Sequence, residues 1–213
     1  MNILYLHGFA SSATSTKAGY FAGRLRRVGI DLRCPDFNEP DFATLTVTRM
    51  LDRLAGLLEA TSEPAVLMGS SLGAVVAILA AAAFADRVGR LVLMAPAVMF
   101  AKPGHHLLPP ERIEEWRRRG ALPFFHYTYH EERPLNFAFY EDSVRYNAFD
   151  TRFEQPALIF QGLRDTSVDH RTVEQFARTR PNVTLSLLDD DHQLIASLPR
   201  MWEGTAEFLG LNA

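Results

Sequence analysis

The chain has 213 residues and a mass of 23.9 kDa, with 47% hydrophobic and 22% charged residues, which fits one globular domain with a substantial core. A net charge of −3 and a pI near 6.2 exclude the concentrated basic face that nucleic-acid binding needs; the one basic cluster, Arg117-Arg118-Arg119, follows Glu114-Glu115-Trp116 and reads as the exposed side of a charged helix. The single cysteine, Cys34, excludes an internal disulfide and a cysteine zinc cluster, and reads as a small buried thiol in a reducing compartment.

The chain opens on MNILYLHGFA, a strand-like run with no basic lead, unlike a signal peptide. From there, short apolar runs alternate with longer helical patterns, the signature of parallel strands joined by crossover helices. The pattern predicts strands over residues 3–6, 30–34, 65–68, 91–94, 157–160 and 184–188, and helices over 15–28, 42–60, 72–85, 171–178 and 195–208. Gly8, Pro35-Asp36, Gly69, Pro96, Gly162 and Asp189-Asp190-Asp191 punctuate the junctions. The longest apolar run, 72–85, is short and alanine-rich for a bilayer span. The expectation is a soluble cytoplasmic protein with no nucleic-acid or membrane partner and with its oligomeric state undetermined.

Residues 98–150 break this rhythm. No clear strand is visible there, but aromatics are dense: Phe100, Trp116, Phe124, Phe125, Tyr127, Tyr129, Phe137, Phe139, Tyr140, Tyr146 and Phe149. An insertion of this length reads as a cap or lid over a binding site, with some of its aromatics lining the substrate pocket. The plainer alternative is that the aromatics fasten the insertion to the core.

Gly69-Ser70-Ser71-Leu72-Gly73 matches G-x-S-x-G, between a buried strand (AVLM) and a buried helix (LGAVVAILAAAAFA). A sharp strand-to-helix turn holds its central residue in a strained conformation and lifts the hydroxyl clear of the sheet. Ser71 is therefore the candidate nucleophile; Ser70 would need glycine at positions 68 and 72, where Met68 and Leu72 stand.

A serine hydroxyl needs a base to take its proton, and in this architecture the partners follow in the order serine, acid, histidine. Of His7, His105, His106, His126, His130, His170 and His192, only His170 and His192 follow the insertion. His170 falls at a helix start, whereas His192 follows the last strand and can reach back over the sheet's carboxyl edge. Asp165, on the loop after the fifth strand, is the candidate acid that holds the imidazole; Asp169 reads as a helix N-terminal residue, and Asp189, Asp190 and Asp191 adjoin His192 too closely to orient it.

The backbone amides of Leu72 and Phe9 are the candidate oxyanion donors, with Gly8 allowing close backbone approach and His7 supporting the loop. Ser11 and Ser12 could brace that loop. His126 and His130, at i,i+4, lack a paired acidic signature, and no metal is expected.

These segments (LYLHGFASSATSTKA, GSSLGA, FQGLRDTSVD and the terminal EFLGL) resemble the α/β-hydrolase superfamily, and more narrowly its small YqiA-like esterases. The resemblance covers the sheet core at both ends of the chain and is weak over residues 99–150. It implies an α/β-hydrolase fold for residues 1–213: a compact, mostly parallel sheet of about six strands with helices on both faces and residues 99–150 inserted as a cap. It places the family's nucleophile, acid and base on Ser71, Asp165 and His192, and implies hydrolysis of small-molecule carboxylic esters or acyl thioesters without a cofactor. A non-catalytic ligand-binding or interaction protein, and a peptidase or lyase using the same three side chains, stay open at this point.

Overall fold

The computed structural model describes residues 1–102, 105 and 108–211, so His106 lies outside the described residues. Six strands, β1 (Ile3–Leu6), β2 (Leu32–Arg33), β3 (Ala65–Ser70), β4 (Val88–Met94), β7 (Ala157–Gly162) and β8 (Val183–Leu188), form one sheet in the order β2-β1-β3-β4-β7-β8. Every neighbouring pair is parallel.

Strand periodicity splits the core into two layers. Leu4, Leu6, Leu67, Leu91, Leu93 and Ile159 point to one face, where they meet α2 (Val47–Glu59), α3 (Leu72–Ala83) and α6 (His170–Arg178). Ile3, Tyr5, Met68, Val92, Met94 and Phe160 point to the other, against α1 (Thr16–Arg27) and α7 (Leu198–Leu209). The helices match these roles. α2 buries Val47, Met50, Leu54 and Leu58 along one stripe, whereas α3 is apolar nearly all round because the core encloses it. Ser15 and Thr46 cap α1 and α2 by accepting from the Ala18 and Arg49 amides.

The predicted strands all occur, although β2 shrinks to two residues at the sheet edge, and α2 and α7 begin later than the pattern indicates. The larger correction concerns residues 98–150, where no strand is expected. They carry α4 (Pro110–Arg119), the antiparallel pair β5 (Ala121–His126) and β6 (Glu131–Asn136), and α5 (Ala138–Ser143). The hairpin is stitched to the sheet domain at both ends: Tyr127 N donates to Ala10 O and Asn136 N to Ala43 O, each at 2.9 Å. Among the described residues, no helix is long and apolar enough to cross a membrane.

Candidate active site

Ser71 sits between β3 and α3 with φ 53° and ψ −112°, in the positive-φ region that an L residue occupies only under constraint. Its neighbours explain how the turn closes. A Cβ on Gly69 would stand 2.6 Å from Ala74 Cα, and one on Gly73 would stand 2.0 Å from the Leu6 carbonyl oxygen. Only glycine lets α3 pack so tightly on β1 and β3. The Ser71 amide donates to Met94 O at 2.9 Å, anchoring the strained residue to the end of β4.

Ser71 Oγ lies 3.1 Å from His192 Nε2, and His192 Nδ1 lies 2.7 Å from Asp165 Oδ2. The three side chains picked from the sequence are therefore brought together at the carboxyl edge of β3, β7 and β8. The acid is held from every side. Its Oδ1 accepts from the Ser167 and Val168 amides, both at 2.8 Å, and Gln161 Nε2 donates to Oδ2 at 3.0 Å. Burial alone would raise its pKa, but hydrogen bonds from His192, the Val168 amide and Gln161 outweigh that and hold the carboxyl below its ordinary value.

Of the rival acids, Asp189 pairs with Arg164 and the other three are occupied with backbone. Asp169 caps α6 by accepting from the Arg171 amide, Asp190 accepts from the Asp191 and Ser197 amides, and Asp191 accepts from the Gln193 amide. His170 occupies the first turn of α6.

Phe9 and Leu72 both line the cavity that opens on Ser71, and neither amide donates to another group among the described residues. The loop carrying Phe9 is braced from behind. His7 Nε2 accepts from the Phe37 amide at 2.9 Å, which puts its proton on Nδ1, 2.9 Å from Gly8 O. A Cβ on Gly8 would come within 3.2 Å of Ser70 O, so the loop lies close against the elbow. Ser12 accepts from the Thr14 amide, and Asn38 Nδ2 holds Ser11 O at 2.8 Å.

The cavity measures about 530 Å³. Of the eleven aromatics in the insertion, Phe100 and Tyr127 line it. Trp116, Phe124, Phe137, Phe139 and Tyr140 instead pack ring against ring, with Phe9 joining through Phe124 and Phe139. A second cavity of about 270 Å³ adjoins the first at Ala97, Phe100, Ser167 and Val168, and extends along Val98 and Met99.

His126 and His130 do not share a helix face. His126 ends β5 with its ring fully buried, stacked on Tyr129, while His130 follows in the turn at φ 54°. No group of three or more metal-ligating side chains is gathered among the described residues. Cys34 is half-buried, and burial pushes its thiol up to about 11.

Two contributors escape the motif reading. Gln161, a buried polar residue inside an otherwise apolar strand, was visible as an anomaly in ALIFQG. Lys17 lines the cavity and is only 8% exposed, although a lysine in a helix's first turn opposes the helix dipole.

The sequence profile of the uncharacterised protein family UPF0227 matches residues 2–206. The chain belongs to this family. No curated protein matches it in sequence. Among solved structures, it is similar to mouse alpha/beta hydrolase domain-containing protein 10 (TM-score 0.82, 20% identity, covering 100% of this chain and 90% of that one). It is also similar to Est1E from Butyrivibrio proteoclasticus, solved with ferulic acid (TM-score 0.83, 21% identity, 97% and 87% coverage), and to the Paleococcus ferrophilus monoacylglycerol lipase (TM-score 0.77, 14% identity, 97% and 93% coverage). At these identities the likeness establishes the fold, and this UPF0227 member has the α/β-hydrolase fold.

Proposed function

We propose that the chain is a serine hydrolase that cleaves carboxylic esters, with acyl thioesters as a second substrate class. The observation that carries this reading is the hydrogen-bonded run Ser71 Oγ–His192 Nε2 and His192 Nδ1–Asp165 Oδ2, at 3.1 and 2.7 Å, opening on a cavity. The names of the structural relatives, a hydrolase and a lipase among them, agree with it.

In the first half-reaction Ser71 Oγ attacks the ester carbonyl while His192 Nε2 takes the hydroxyl proton. Asp165 holds the proton on Nδ1, so that Nε2 is free to accept, and stabilises the imidazolium. The amides of Phe9 and Leu72 receive the oxyanion of the tetrahedral intermediate. Its collapse expels the alcohol or thiol, protonated by His192, and leaves an acyl-Ser71. Water, deprotonated by His192, then releases the acid and restores the serine. His7 and Gly8 fix the loop bearing Phe9, and residues 99–150 act as a cap whose Phe100 and Tyr127 close the apolar side of the cavity.

The test is labelling with a fluorophosphonate, read by intact mass and peptide mapping, beside Ser71→Ala. One adduct on Ser71, absent from the variant, together with loss of ester turnover in the variant, is the expected result. Undiminished ester hydrolysis by Ser71→Ala would overturn the assignment.

A further inference from the structure

The cavity does not end at the three reacting side chains. It continues along the start of α1, where Tyr5, Ser11, Thr14, Ser15, Thr16 and Lys17 line it. Five of these side chains carry hydroxyls, Lys17 adds an ammonium, and no carboxylate among the described residues lines the cavity. Lys17 Nζ uses one of its three N–H groups, donating to Gln193 O at 2.8 Å, and no carboxylate lies within ion-pair distance of it among the described residues. The nearest acids, Asp165, Asp190 and Asp191, are engaged with His192 and with backbone amides. The Tyr5 hydroxyl, on a side chain 1% exposed, has the Ser15 and Ser70 side chains beside it but makes no hydrogen bond of full geometry among the described residues. The amides of Thr16 and Lys17, in the first turn of a 12-residue helix, also donate to nothing among the described residues.

Lys17 Nζ keeps N–H groups beyond its bond to Gln193 O, and Tyr5 and Thr16 line the same arm, so an anion entering there would meet several donors at once. We propose that this arm receives a carboxylate carried by the substrate, making the enzyme selective for esters in which one half bears a free carboxylate. The inference rests on the hydrolase reading above. A monoanion fits better than a dianionic phosphate, because the one cation of the arm already feels Asp191, Asp165 and Asp190, whose charges oppose each added unit of negative charge. Burial lowers the Lys17 pKa to about 8, with Asp191, Asp165 and Asp190 pulling it upward, so the side chain remains a cation at neutral pH.

A purely structural role for Lys17, tying the Gln193 carbonyl next to His192, makes a different prediction. Its loss would slow every substrate by the same factor, whereas loss of an anion contact changes the ratio between charged and neutral substrates.

The experiment compares kcat/KM at pH 7 for matched pairs. In one arm, the 4-nitrophenyl half-ester of glutaric acid is set against its uncharged methyl ester; in the other, 4-acetoxybenzoate is set against methyl 4-acetoxybenzoate. The wild-type chain should favour the charged member of one pair by roughly tenfold or more, and the favoured pair shows which half of the substrate carries the carboxylate. In Lys17→Met that ratio falls to about one, while Lys17→Arg and Tyr5→Phe keep part of it. A ratio of one in both wild-type pairs, a ratio unchanged in Lys17→Met, or an equal slowing of charged and neutral esters overturns the proposal.

Calorimetric binding of monomethyl glutarate, with dimethyl glutarate as control, gives a readout independent of turnover. If no ester is hydrolysed, the hydrolase reading fails on its own, and binding that Lys17→Met abolishes still supports the anion site. Binding that is absent, or equal in the two proteins, sinks it.

Discussion

Asp165 and His192, 27 residues apart in sequence, meet at 2.7 Å between Oδ2 and Nδ1, and the other oxygen of the same carboxylate closes its own loop by taking the Ser167 and Val168 amides. One side chain therefore has two separable tasks, to orient the imidazole and to shape the turn after β7.

The two tasks separate by substitution. In Asp165→Asn, the amide oxygen can stay with the Ser167 and Val168 amides, which puts the NH2 group against His192 Nδ1. The proton then moves to Nε2, where it blocks acceptance from Ser71. The expected outcome is a fall in kcat of about 10³- to 10⁴-fold with little change in melting temperature. Asp165→Ala also leaves two backbone amides unpaired, and should cost a further 1–3 kcal/mol or so of stability, measured by urea unfolding. A near-normal rate in Asp165→Asn would remove this residue from the mechanism.

The elbow makes a steric prediction. A methyl group at Gly73 meets the Leu6 carbonyl at 2.0 Å, and neither β1 nor α3 can retreat without opening the core. Gly73→Ala should destabilise by about 3 kcal/mol or more. Gly56→Ala is the control. This residue lies on the exposed side of α2 with nothing within 4 Å of the new Cβ, so the change should stabilise by about 1 kcal/mol. Thermal unfolding of the two variants should move in opposite directions.

The elbow and the parallel sheet were legible because their signals are local. Gly69 and Gly73 flank Ser71 at fixed offsets, and each buried strand is a short apolar run bounded by turn residues. The order of serine, acid and histidine then narrowed seven histidines to His170 and His192, and its place after the last strand singled out His192. The hairpin β5–β6 was not legible, for a physical reason. Pro123 and Pro134 stand opposite each other in it, and proline inside a run argues against a strand. A two-stranded ribbon has free edges, and a proline pair fits where the missing N–H would point outward, away from the partner strand. Lys17 was missed because a charged residue in a polar, serine-rich turn reads as solvent-facing. Its burial depends on the His192 loop, which arrives 176 residues later.

The charge state of Lys17 makes the selectivity for anionic esters depend on pH. The ammonium is present below about 8 and is lost above it, with Asp165, Asp190 and Asp191 the charged groups around it. Between pH 7 and pH 9 the ratio of kcat/KM for charged over neutral esters should therefore fall towards one, while turnover of the neutral ester does not follow the same curve. A ratio that is flat across this range would mean that the Lys17 charge does not touch the substrate.

His126 makes the fold itself sensitive to acid. Its ring is fully buried, edge-on to Phe42 and stacked on Tyr129, and neither nitrogen has a hydrogen-bond partner among the described residues. Burial, reinforced by the charge of Arg133 and partly offset by Asp36 and Glu131, lowers its pKa from 6.5 to about 4. Between those two values the unfolded chain binds a proton that the folded chain refuses, so stability rises with pH through this window and falls on acidification. At pH 5 the loss relative to neutral pH should be about 2 kcal/mol from this side chain. His126→Phe keeps a ring in the same place and removes the titration, so urea unfolding at pH 7 and pH 5 should show the variant losing correspondingly less than the wild type.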